Sequence, residues 1–154
     1  MDASLVRFLL RPVMILVGTV DPAARPEIGR GVGSLVVPEA GRIDVLVSRW
    51  QWPATIANVE RAGRAAATFS RPADYETYQI KGRATLRAAG APEAETARAY
   101  CRDTLAALME LGMAHDLVAH WQSTRDLVVV SLSVDEVFSQ TPGPLAGQRI
   151  GGAT

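Results

Sequence analysis

Apolar positions along this chain fall into short alternating runs more often than into long helical stripes, the pattern of half-buried strands. Val13 to Asp21, VMILVGTVD, is rich in β-branched residues and closes on the turn material PAARP. EIGRGVGSLVV follows, strand-like but with glycines at 29, 31 and 33, where a strand must bulge, bend or let another backbone or a ligand come close. After the turn PEAGR, the runs IDVLVS, RAAATFS and TYQIKGRATLRA read as further strands, and DLVVVSLSVDEVFS reads as one last strand.

Helical spacing is confined to a few segments. SLVRFLLRP predicts a short N-terminal helix ended near Pro12. QWPATIANVERAG predicts a second, with Pro53 at its first position, Ile56 and Val59 on one face, and Gly63 at the C-terminal cap. PEAETARAYCRDTLAALMELG predicts a long third helix, from near Pro92 to Gly112, and MAHDLVAHW a short fourth. Strands and helices do not alternate regularly, which argues against a doubly wound parallel sheet. About six short strands at hairpin spacing predict a mainly β fold, a small antiparallel barrel in which closure removes exposed edges. Residues 1–154 read as a single domain, with 140–154 an irregular tail rich in Gly and Pro.

Charge narrows the partners. Sixteen basic side chains against sixteen acidic ones give a formal net charge of zero, unlike a protein built to neutralise phosphates along nucleic acid. There is no basic block suited to a membrane surface, and the uninterrupted apolar run from Val13 to Val17 is far too short for a span. The single cysteine, Cys101, cannot form an internal disulfide and fits a reducing compartment. With no cleavage-site pattern after the first apolar run, a cytoplasmic location is expected.

Several chemistries are missing from the motifs. One Cys, with His115 and His120 five apart, makes no zinc pattern, and neither a P-loop nor G-x-S-x-G occurs. GRGVG lacks the spacing and the strand-turn-helix context of a dinucleotide loop. What remains is a dispersed polar set. Arg30 lies among the glycines; Ser48 and Arg49 end a strand; Gln51 and Thr55 occupy the entry and first turn of the Pro53 helix, where free N–H groups favour an anion. In RPADYETYQIKG, Arg71 to Gly82, turn residues give way to a strand in which Gln79 and Lys81 share one face. Each of these residues alone is compatible with a solvated or capping role. Together they describe a phosphate at a helix start and an amide offered to a planar ring.

In their order along nearly the whole chain, VGTVD, the turn with Pro26, the strand with Arg30, VLVSRWQWPATIANVERAGRAAATFSRP and YQIKGRATL resemble the pyridoxamine 5'-phosphate oxidase-like family. The resemblance implies a six-stranded antiparallel split β-barrel of the FMN-binding type, a homodimer with FMN at the subunit interface, and a flavin-dependent oxidoreductase acting on a small molecule. It places Arg30 and Gly31 near the phosphate or ribityl chain and the ring edge, and Val47 and Ser48 beside the isoalloxazine. Gln51 and Thr55 come near the phosphate, Gln79 is a hydrogen-bond partner of the flavin, and Lys81 is a companion charge. The vitamin B6 oxidases carry an Arg-Lys pair where this chain has Ala54-Thr55, which leaves a phosphate to Arg30, Arg49 and backbone donors. TPGPLAGQR stands in place of their C-terminal Trp and Arg signature, so pyridoxamine phosphate is not the expected substrate. Deazaflavin or haem binding on the same fold, or a non-catalytic flavin-binding module, are the alternatives.

Overall fold

The computed structural model describes residues 2–152. Helix α1 (Ala3–Leu9) is followed by strands β1 (Met14–Val20) and β2 (Pro26–Val37), a 3-10 turn at Pro38–Ala40, and β3 (Arg42–Ser48). Helix α2 (Pro53–Ala62) leads into β4 (Arg64–Ser70) and β5 (Thr77–Ala88). Helices α3 (Ala91–Glu110) and α4 (His115–Ala119) precede β6 (Leu127–Ser133), β7 (Glu136–Ser139) and β8 (Arg149–Gly152). All pairings are antiparallel, and the order β4-β1-β2-β3-β6-β5 closes through β4–β5 into the expected six-stranded barrel.

The two-residue period decides which way each strand faces. In β1, Ile15, Val17 and Thr19 are buried while Met14, Leu16 and Gly18 are half-buried and face outward. In β4, Ala65, Ala67 and Phe69 fill the interior and Ala66, Thr68 and Ser70 face out. The interior is completed by Ile43, Val45, Val47, Ile80, Val130 and Leu132. Leu5, Phe8 and Leu9 of α1 and Ile56 and Val59 of α2 join that core, as their spacing requires. Helix α3 instead lies on the outer wall, where Ala97 packs on Val32, Leu46 and Val129. The glycine-rich run forms β2 and shifts register between Gly31 and Ser34, the irregularity its composition implies.

Two differences from the sequence reading concern the end of the chain. DLVVVSLSVDEVFS is two strands, interrupted at Val134 and Asp135, because β5 has two partners on one edge. Tyr78 to Lys81 pair with β7, and Ala84 to Ala88 pair with β6. Gly82 marks the change: a Cβ there would collide with the Ser133 carbonyl oxygen. The Gly- and Pro-rich tail also contains structure, since β8 pairs with β7 beyond the barrel.

One carboxylate is buried on the outer wall. Asp44 of β3 is 2% exposed and is bracketed by Arg42 and Arg87, each at 2.9 Å. Burial alone would raise its carboxyl, but hydrogen bonds from Arg87 and Ser131 and the charges of both arginines outweigh that and hold it below the usual carboxylate range. Its contribution to stability is therefore present above the unfolded value and drains away as pH falls through the folded one. Asp44→Asn is expected to cost about 2 kcal/mol at neutral pH, less than a fully dry pair because both arginines are partly in solvent. In urea unfolding, the gap between wild type and variant should close as pH falls below the ordinary carboxylate range and through the lowered folded value.

Candidate functional site

The end of β3, the start of α2 and the segment 120–126 form one cluster. Ser48 is fully buried; its hydroxyl donates to the Arg125 carbonyl at 2.6 Å and accepts from the Gln51 backbone N–H at 3.3 Å. The Gln51 side-chain amide donates to the His120 carbonyl at 2.8 Å. The Arg49 backbone N–H donates to the Asp126 carbonyl at 2.9 Å, while its side chain is exposed. Trp52 caps α2 without a side-chain hydrogen bond, so the orphan N–H groups of the first turn keep their demand for an acceptor. Three buried polar atoms at this helix start have no protein partner: Gln51 Oε1, Trp52 Nε1 and Thr55 Oγ1.

Arg30 stands beside this cluster on β2. Its guanidinium lies 4.6 Å over the Trp121 ring, and among the described residues no carboxylate pairs with it. Partial burial pulls the guanidinium below its ordinary value, opposed by Tyr100. A half-buried cation without a counter-charge is electrostatically unfinished and suits an anion. The packing also limits the other residues of the set. Thr55 lies fully buried beneath β2, where a Cβ on Gly29 would collide with its hydroxyl. Gly31 and Val47 face the barrel interior and have only backbone groups to offer a ligand on the outside.

Gln79 and Lys81 face outward on β5, some distance from that helix start. The Gln79 amide donates to Thr68 Oγ1 at 3.2 Å and its oxygen accepts from Gln140 at 3.5 Å. Lys81 Nζ sits 4.6 Å over the Phe138 ring. Strand register connects the two regions. Arg30 pairs with Leu16, Leu16 with Thr68 and Thr68 with Gln79, one row on the outer wall across β2, β1, β4 and β5. Three strand spacings make that row roughly 14 Å long. The next row, Ile28, Gly18, Ala66 and Lys81, is floored by small residues at its centre. A flat ligand with an anionic end could therefore lie across β1 and β4 with its anion at Arg30 and a polar ring edge at Gln79.

Sequence reasoning did not single out Thr68, Gln140, Phe138, Trp121 or the carbonyls of His120 and Arg125. Thr68 was open to inference once β4 and β5 were paired, since it falls on the outward phase of RAAATFS. The segment 120–126 carries no local signal, because its role depends on where α3 and α4 return the chain. His115 and His120 are exposed, and no group of three or more His, Cys, Asp or Glu able to hold a metal occurs among the described residues. Burial pushes the Cys101 thiol up to about 11, which leaves it protonated and unreactive. Among the described residues no helix is long and apolar enough to cross a membrane.

No family model matches the sequence, and no curated protein matches it. Solved structures do match the fold. HupZ of group A Streptococcus, a tagged form, superposes with a TM-score of 0.60 at 18% identity, covering 96% of this chain and 100% of that one. A pyridoxamine 5'-phosphate oxidase-related, FMN-binding protein from Nostoc punctiforme gives 0.55 at 14% identity, covering 94% and 86%. An F420 reductase gives 0.55 at 10% identity, covering 85% and 93%. The chain is thus, at the level of its fold, a pyridoxamine 5'-phosphate oxidase-like split β-barrel. Those neighbours share the fold at low identity, so the residues of this chain must carry any argument about chemistry.

The buried Ser48 hydroxyl ties β3, α2 and the 120–126 segment together. Ser48→Ala leaves the Arg125 carbonyl and the Gln51 N–H without their partner and is expected to lower stability by about 1–2 kcal/mol, read as a fall in the urea midpoint with unchanged slope.

Proposed function

We propose that this chain binds FMN on the outer wall of the barrel, as a homodimer, and serves as a flavin-dependent oxidoreductase for a small-molecule substrate other than pyridoxamine phosphate. The observation that carries the reading is the outer row from Arg30 to Gln79, with an unpaired cation at one end and a side-chain amide at the other. The first turn of α2, capped by Trp52 without a side-chain hydrogen bond, supports a phosphate nearby, with Arg49 and backbone donors supplementing Arg30. Thr55 supports that turn from beneath. Ser48, Val47 and Gly31 shape the wall, and Gln79 and Lys81 meet the ring side. Bound FMN would supply hydride or electron transfer, and the chain's part is to bind and orient it.

A second copy fits the same face. Ile28 and Val20 project outward beside this surface, 58% and 46% exposed, and a symmetric partner would cover them and wall the ligand in. A deazaflavin is the second reading, favoured by the F420 reductase among the structural neighbours.

The purified protein is expected to be yellow or to take up added FMN, with quenching of flavin fluorescence. A colourless protein that binds neither FMN nor F420 sinks the proposal. Gln79→Ala should weaken FMN binding about tenfold, the loss of one hydrogen bond to the ring, with Lys81→Ala having the smaller effect. Unchanged affinity in Gln79→Ala would place that amide outside the site. Sedimentation should give twice the monomer mass at micromolar concentration, and a stable monomer would remove the interface-bound cofactor.

A further inference from the structure

The outer wall formed by β3, β6 and β5 carries chemistry that the flavin reading does not use. A depression of about 500 Å³ there is lined by Arg42, Arg83, Thr85, Arg87, Ser131 and Ser133. Register explains how these polar groups meet. Arg42 pairs with Ser133, and Arg83, one residue before the Ala84–Leu132 pair, continues that row on the far side of Ser133. A serine hydroxyl is thus flanked by a guanidinium on each neighbouring strand. In the next row Ser131 pairs with both Asp44 and Thr85.

The arginines are not equivalent. Arg42 and Arg87 are held by Asp44, and Arg87 also meets Glu93 at 2.8 Å. Among the described residues no carboxylate pairs with the Arg83 guanidinium; Asp135 accepts only its backbone N–H, at 3.2 Å. Its neighbour on β4 is Arg64, directly opposite in the ladder, exposed and equally without an ion pair among the described residues. Like charges facing each other across a ladder destabilise the sheet. Four arginines against the carboxylates of Asp44, Glu93 and Asp135 leave a positive excess on a wall of a chain whose overall formal charge is zero. The Asp44 carboxylate orients two guanidinium groups at the edge of the depression, while among the described residues Arg83 and Arg64 form no ion pair.

We propose that this wall is a second ligand site, selective for a phosphate-class oxyanion on a small molecule, with the anion over Ser133 between Arg42 and Arg83. Thr85 supplies a further hydroxyl, and Arg64 adds long-range attraction. The site is separate from the flavin surface: Lys81, which faces Phe138, and Arg83 lie on either side of Gly82, where β5 exchanges β7 for β6.

The test uses the full chain with pyrophosphate as probe, followed by calorimetry and thermal melting with and without saturating FMN. Wild type should bind pyrophosphate saturably, with affinity falling as salt rises, and binding should persist with FMN present. Arg83→Gln should weaken pyrophosphate binding about tenfold or more, and Ser133→Ala should weaken it less, with FMN affinity unchanged in both. Arg64→Gln should weaken binding modestly and raise the ligand-free melting temperature, because it relieves the like-charge pair. Arg98→Gln, on α3, serves as the control and should bind as wild type. No saturable binding, or wild-type binding by Arg83→Gln, overturns the proposal. Equal loss of FMN and pyrophosphate binding in Arg83→Gln also overturns it, by assigning the arginine to the flavin's own phosphate.

Discussion

Strand β5 has a single edge that must serve β6 and β7 in turn, and the barrel depends on how that is done. Backbone N–H and C=O groups left unpaired at a buried junction are costly, so the exchange has to be abrupt. Gly82 permits it by letting the Ser133 carbonyl approach where any side chain would collide. The other edge of β5 pairs without interruption to β4 from Thr77 to Arg83 and closes the barrel. Closure and splitting are therefore properties of the same twelve residues.

That strand also organises the surface. Its outward positions run Gln79, Lys81, Arg83, Thr85 and Arg87, all on one side because the side-chain period is two. The first two look across β4 and β7, toward Thr68 and Phe138; the last three look across β6, toward Ser131 and Ser133. One continuous polar face is thus divided between two environments by a change of neighbour rather than by a change of residue type. The same division separates the amide and ammonium proposed to meet a flavin from the arginines proposed to meet an oxyanion.

How much of this was legible in the sequence follows from what is local. The alternation in VMILVGTVD and RAAATFS fixes both the strands and their inward faces, since one buried side suffices to select the phase. Pro53 and Gly63 bound α2 because the first turn tolerates a missing N–H and the last needs a left-handed residue; Gly63 has φ 62°. The β6–β7 break was not legible. SLSVDEV continues the alternation without a turn signal, and the interruption follows from the change of partner on β5 that the distant Gly82 permits. The candidate site divides the same way. Arg30, Gln79 and Lys81 could be picked out one by one, whereas the row joining Arg30 to Gln79 exists only once β1 and β4 lie between them. Thr55 shows the reverse limit. Its position in a first helical turn suggests a phosphate contact, but the close approach of Gly29 turns its hydroxyl toward β2.

The 120–126 segment shows why the helix start is built as it is. Ser48 and Gln51 spend their polar groups on the carbonyls of Arg125 and His120, and Trp121 lies against the Arg30 guanidinium. These contacts satisfy the segment rather than the helix, whose first turn has no side-chain cap. A helix start designed only for stability would place Ser, Thr, Asp or Asn at its cap, and Trp52 occupies that position instead. The uncapped first turn and the Arg30 cation point the same way, since each gains from a negatively charged acceptor. Stability is given up at the cap, and the first turn is left open to the anion proposed above.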